Sequence, residues 1–182
     1  MEIIKTLIKD LLIIAPRIFK DDRGYFFESW NKKTFKSAGI TNDFVQDNES
    51  QSSYGVVRGL HYQLAPFSQA KLVRVLSGSV LDVAVDLRKD SPTFGKWHAV
   101  ELTSENKLMF LVPRGFAHGF AVLSEKATFA YKCDNAYNPQ SERSINPFDS
   151  TLNIDWKIDK ASAILSAKDK DAPDFSHAKF NF

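Results

Sequence analysis

Cysteine is almost missing from this chain: Cys133 is the one copy in 182 residues. A single thiol cannot close a bridge within the chain, so no disulfide framework holds the fold, and a reducing compartment is favoured. Long apolar runs are missing too. In the N-terminal stretch MEIIKTLIKDLLIIAP the apolar run from Leu11 to Ala15 is broken by Pro16 and preceded by Lys9 and Asp10. It lacks the continuous apolar region and small-residue cleavage site of a signal peptide, and no other stretch approaches the length of a membrane span. The expected location is the cytoplasm, with no membrane partner. Nor is there a surplus of one charge: 24 Lys and Arg face 22 Asp and Glu, for a formal net charge of +2. Without a basic block, no nucleic-acid partner is expected. Repeats, low-complexity runs and linkers are also absent, so residues 1–182 read as one domain.

Aromatic and β-branched residues are plentiful. Phenylalanine occurs fifteen times, with Val, Ile and Tyr spread throughout, which leans towards strands. KLVRVL and VLDVAVDLR, joined by Ser77-Gly78-Ser79, carry the signal of a hairpin. In the second of them Leu81, Val83, Val85 and Leu87 share one face, and Val80, Asp82, Ala84 and Asp86 the other. KLMFLVP (107–113) is apolar on both faces and predicts a strand buried on both sides. ATFAYKC (127–133) predicts a strand with Phe129, Tyr131 and Cys133 on one side. Helical periodicity is confined to NKKTFKSAG (31–39), where Gly39 takes the place a C-terminal cap prefers, while SPTFG reads as a turn. The polar tail after Trp156 reads as loops wrapping back on the body. Many short strands with Gly and Pro turns predict an all-β sandwich or barrel, a jelly roll among the possible forms, with a small-molecule pocket at its mouth.

Three stretches carry chemistry. VVRGLHYQ (56–63) places Arg58 and His61 inside an apolar, β-prone run, and Lys71 opens the next strand. A lone strand histidine is most often a satisfied structural residue. Three cationic or titratable groups near one turn favour an anion-binding mouth. PRGFAHGF (113–120) has the P-x-G-x-x-H spacing of the second half-motif of the cupin superfamily, ending on His118. The first half-motif normally supplies His-x-His and a Glu, whereas here His61-Tyr62-Gln63 offers one histidine. Two histidines without a carboxylate in register make a poor metal site, so no metal is expected. Tyr131 alone reads as a core tyrosine packing its ring. FVQDNES (44–50) and SAKDKDAP (166–173) default to a turn and a solvated loop.

Taken in order, FKDDRGYFFES, VQDNES, VVRGLHYQ, QAKLVRVLSGSVLDVAVDLR, SPTFGKW, VPRGFAHGF, AYKC, LNIDW and LSAKDKDAP resemble the dTDP-4-dehydrorhamnose 3,5-epimerases, from about Phe19 to Pro173. The resemblance implies an all-β, cupin-type jelly-roll barrel with a few short helices, assembled as a homodimer whose subunits complete each other's sites. It implies a dTDP-linked 4-keto-6-deoxy sugar as substrate, proton transfer at C3 and C5 through an enolate, and no cofactor. By position, His61 matches the family's base, Asp169 the carboxylate orienting it, Tyr131 the acid, and Lys71 the cation near the C4 oxygen. Arg58, His118, Arg23, Glu28, Gln46, Asp47, Asn48, Tyr137, Glu142 and Lys168 match substrate-binding positions. The same residues would serve a relative that inverts one carbon of a related nucleotide-linked sugar. A non-catalytic or metal-dependent cupin is the reading from another class.

Overall fold

The computed structural model describes all 182 residues. The chain opens with β1 (Glu2–Lys5), β2 (Leu12–Ala15), β3 (Phe19–Asp21), β4 (Gly24–Phe26) and helix α1 (Lys32–Ser37). Its body is β5 (Gln46–Ser53), β6 (Val57–Gln63), β7 (Lys71–Ser77), β8 (Ser79–Asp86), β9 (Trp97–Thr103), β10 (Met109–Val112), β11 (Phe116–Val122) and β12 (Lys126–Cys133). It closes with β13 (Glu142–Ser144), helix α2 (Ala167–Lys170) and a 3₁₀ turn at Phe175–His177.

Two antiparallel sheets form, β1-β2-β10-β7-β12-β5 and β13-β6-β11-β8-β9, and β3 pairs with β4 in a separate hairpin. The sheets' inner faces meet over Val73, Val75, Val80, Phe110, Phe120 and Phe129. This is the cupin-type jelly roll, all-β apart from two short helices and the 3₁₀ turn.

The segments 71–77 and 79–86 are strands, but they are not a hairpin. β7 belongs to the six-stranded sheet and β8 to the five-stranded one, so Gly78 turns the chain from one layer into the other. It does so at φ +78°, where a Cβ would stand 2.1 Å from the Lys126 carbonyl oxygen. The reason lies in β8's two apolar faces, both of which need cover. Val80 and Ala84 enter the core between the sheets. Leu81, Val83, Val85 and Leu87 point outward into a second cluster with Ile145, Leu152 and Trp156. Flanked by β11 and β9, β8 is buried along nearly its whole length.

The C-terminal tail supplies the outer cover: Leu165, Phe175, Phe180 and Phe182 pack on the second cluster. Two polar stretches differ from their default readings. FVQDNES contains the edge strand β5, not a turn, and SAKDKDAP contains α2 with a buried Asp169, not a solvated loop. In both, polar side chains line a recess in the barrel, which composition alone does not distinguish from facing solvent. α1 forms as expected. Asn31 accepts from the Lys33 and Thr34 N–H groups at its start, and Gly39 leaves it at φ +86°. No helix is long and apolar enough to cross a membrane.

Candidate active site

Arg58 and His61 are three residues apart, and in a regular strand they would face opposite sides. A bulge brings them together. Opposite β6 on β11, His118 stands across from His61 and Phe120 across from Arg58, so Gly59 and Leu60 lie against the single residue Gly119. The extra residue restores the parity, and both side chains line one pocket. Gly59 makes this possible. It sits at φ +128°, and a Cβ there would lie 2.6 Å from Gly119 Cα and 2.9 Å from the His118 carbonyl oxygen.

The pocket is a cavity of about 420 Å³ between the sheets, with Arg58, His61, Lys71, His118, Tyr131 and Asp169 in its wall. His61 comes from β6 in one sheet, Lys71 and Tyr131 from β7 and β12 in the other. A smaller recess of about 100 Å³ shares His61, Lys71 and Tyr131 and adds Gln46, Asn48, Tyr137 and Glu142.

His61 is oriented from the tail. Its Nε2 lies 2.5 Å from Oδ1 of Asp169. Ser166, the N-cap of α2, donates its hydroxyl to Asp169 Oδ2 (2.8 Å) and accepts from the Asp169 N–H (3.1 Å). Burial pushes the Asp169 carboxyl up, but the His61 hydrogen bond and charge, then Ser166 and Lys168, outweigh it and hold the group below its ordinary value. Asp169 is therefore a carboxylate at neutral pH.

On the facing sheet, burial first, then the charges of Cys133 and Glu142, push the Tyr131 phenol up, against the pull of Arg58. The phenol keeps its proton at neutral pH. Burial pulls the Lys71 ammonium down, while Cys133, Asp82 and Glu142 partly restore it. His118 is buried on β11 with its Nε2 2.8 Å from Asp82 Oδ1. Arg58 Nε donates to Ser52 Oγ at 3.0 Å.

At the mouth, the Tyr137 hydroxyl donates to Glu142 Oε2 (2.9 Å), and Lys168 Nζ lies 2.6 Å from Glu142 Oε1. Gln46 accepts from the Tyr137 N–H (3.1 Å) and donates to Asn48 (3.0 Å). Three candidates lie elsewhere in this chain. Asp47 faces the other side of β5 and pairs with Lys132 at 2.7 Å. Arg23, 90% exposed at the β3–β4 turn, pairs with Asp21. Glu28 accepts from Asn31 and Thr34 at the head of α1.

Sequence reasoning missed Ser166, Ser52 and Asp82 as supporting groups. The S-x-x-D spacing of Ser166 and Asp169 is a helix-capping pattern and was there to be read. Asp82 shares a strand face with Val80 and Ala84, and an acid among such neighbours needs a buried partner. Nowhere do three or more His, Cys, Asp or Glu side chains gather as a metal ion requires.

Fold and pocket together define a cupin-type barrel whose mouth is lined with groups suited to proton transfer. A family profile described as dTDP-4-dehydrorhamnose 3,5-epimerase matches residues 5–177. A protein of that name from Shigella flexneri is 51% identical, covering 99% of each chain. The crystal structure of one from Elizabethkingia anophelis is 59% identical with TM-score 0.93, covering 97% of each chain. A dTDP-6-deoxy-D-glucose-3,5-epimerase from Legionella pneumophila, solved in complex with dTDP-4-keto-L-rhamnose, is 52% identical with TM-score 0.93, covering 97% of this chain and 93% of its own. The chain belongs to the dTDP-4-dehydrorhamnose 3,5-epimerase family.

Proposed function

We propose that the protein inverts C3 and C5 of dTDP-4-dehydro-6-deoxy-D-glucose to give dTDP-4-dehydro-L-rhamnose, a step of dTDP-L-rhamnose biosynthesis. One observation carries the mechanism. His61 with its Asp169 carboxylate stands on one sheet and the protonated Tyr131 on the other, with one cavity between them. Inversion needs a base on one face of the sugar and an acid on the other.

The C4 ketone acidifies the C3 and C5 protons. His61 removes one of them, and Asp169 stabilises the imidazolium that forms. The electron pair moves onto the C4 oxygen, where the Lys71 ammonium meets the developing charge. Tyr131 then returns a proton to the same carbon from the opposite face. The half-cycle leaves an imidazolium and a phenolate, so both exchange protons with solvent before the second carbon reacts. The chemistry calls for no redox cofactor and no metal.

Arg58 and Lys168 suit the diphosphate, Arg58 through its forked donors. Tyr137, Glu142, Gln46, Asn48 and His118 hold the rest of the nucleotide sugar. Arg23, Glu28 and Asp47 do not line the pocket or the recess of their own chain. The β3–β4 arm that carries Arg23 also exposes Phe19, Tyr25 and Phe26. This supports a homodimer in which the arm of one subunit closes the pocket of the other.

The test is incubation with dTDP-4-keto-6-deoxyglucose followed by reduction with an NADPH-dependent dTDP-4-keto-rhamnose reductase. dTDP-L-rhamnose is expected. Recovery of unchanged sugar, or of a product inverted at one carbon, would overturn the double epimerisation.

A further inference from the structure

Asp82 is fully buried in the middle of β8, among apolar residues; the strand's other buried acid, Asp86 at its end, is paired with Arg88, Ser91 and Thr93. Asp82 Oδ1 takes the His118 hydrogen bond, and its Oδ2 has no hydrogen-bond partner. An unpaired buried carboxylate oxygen is costly unless a cation compensates it. Across the interior, on the facing sheet, Lys71 opens β7 with its side chain on the same inner face as Val73 and Val75. Its ammonium makes no hydrogen bond to a carboxylate and lies 5.9 Å from the centre of the Tyr131 ring. One acid and one cation on the inner faces are thus each left incompletely matched.

We infer that Asp82 is a positioning residue whose unpaired Oδ2 serves as the buried counter-ion of Lys71, keeping that ammonium charged and turned into the pocket. The inference rests on the proposed function only for what Lys71 does there. The other groups around Lys71 do not replace Asp82. Glu142, from β13, is already shared by Lys168 and Tyr137. Cys133, on β12, has its thiol pushed up to about 11, chiefly by burial, and is neutral at physiological pH. Lys168, on α2, repels the ammonium. Of the remaining pocket groups on β6 and α2, Arg58 is a cation and His61 and Asp169 are bonded to each other. The dependence is mutual. Burial, the largest influence, leaves the Asp82 carboxyl above its ordinary value, and His118 and Lys71 pull against it towards the carboxylate.

Asp82→Asn keeps the shape and an acceptor for His118 but removes the charge. With the unliganded protein labelled at lysine 13Cε, and Lys71→Met to assign the signal, the Lys71 titration should move down by about one pH unit in Asp82→Asn. In turnover, the alkaline limb of kcat/KM should move down with it, because the useful form of Lys71 is the protonated one. Should Asp82→Asn not fold, Lys71→Met with 13Cγ-labelled aspartate supplies the reciprocal reading: the Asp82 titration should move up. An unchanged titration in the variant measured would overturn the inference. The NMR readout needs no substrate. A wild-type protein inactive on the dTDP sugar would therefore sink the proposed function and leave this coupling standing, and an active one with uncoupled groups would do the reverse.

Discussion

His61 gets its orientation from Asp169, 108 positions further along the chain. Without the imidazole the pocket can still bind a sugar but has no base at the carbon-bound proton. His61→Ala should therefore lower kcat by roughly 10²–10⁴-fold, while the affinity for a dTDP sugar, measured by calorimetry, changes only a few-fold. A near-normal kcat would remove His61 from the role of base. At this scale the sequence was uneven. VVRGLHYQ displayed Arg58 and His61 together, but parity along a regular strand would have separated them, and only the bulge against Gly119 unites them. The partners were harder to see. Asp82 reaches His118 across neighbouring strands, and Ser52 reaches Arg58 from another strand, neither at a spacing that a strand pattern reports.

Among the elements, α2 is one of the shortest, and it carries the carboxylate bonded to His61, that of Asp169. Four residues long, it is held by the Ser166 cap. Ser166→Ala should cost about 0.5–2 kcal/mol, the usual effect of losing an N-cap, measured by urea denaturation at pH 7. The sign with pH follows from Asp169. Its folded carboxyl is held below the ordinary value, so its contribution to stability is present above about pH 4 and is lost as pH falls through the lower folded value. Removing the Ser166 donor shrinks that contribution. The gap between wild type and Ser166→Ala should then narrow as the pH drops below 4, and a gap constant with pH would mean that the hydroxyl acts only as a backbone cap. Strands with one apolar pattern, such as β10 and β12, were legible from residues alone. The β7–β8 junction was not, because Ser77-Gly78-Ser79 has the same local chemistry whether it reverses a hairpin or carries the chain between layers. What decides is the burial of both faces of β8, a property of the assembled barrel.

For the whole molecule, the all-β class could be read from strand content and turns, and the jelly roll came with the family resemblance. The position of the β3–β4 arm could not be read at all. Arg23 and Glu28 lie away from their own pocket, and the arm's exposed aromatic side chains suit a second subunit. Subunit mixing tests this. Arg23→Ala and His61→Ala should each be nearly inactive alone, yet mixed and allowed to exchange they should regain up to about a quarter of wild-type activity. Half of the dimers are then mixed, and in each of those one site pairs an intact arm with an intact pocket. No regain after exchange, shown by mass spectrometry of the mixed dimers, would place Arg23 in the site of its own chain or outside any site.

The most direct test of the central claim is proton NMR of dTDP-4-keto-6-deoxyglucose incubated with the protein in deuterated water. His61 and Tyr131 both exchange with solvent between half-cycles in this account. Deuterium should therefore enter at C3 and at C5, the two sites of inversion, and Tyr131→Phe should impair inversion more than exchange. Deuterium at a single carbon, or at neither, would contradict the account.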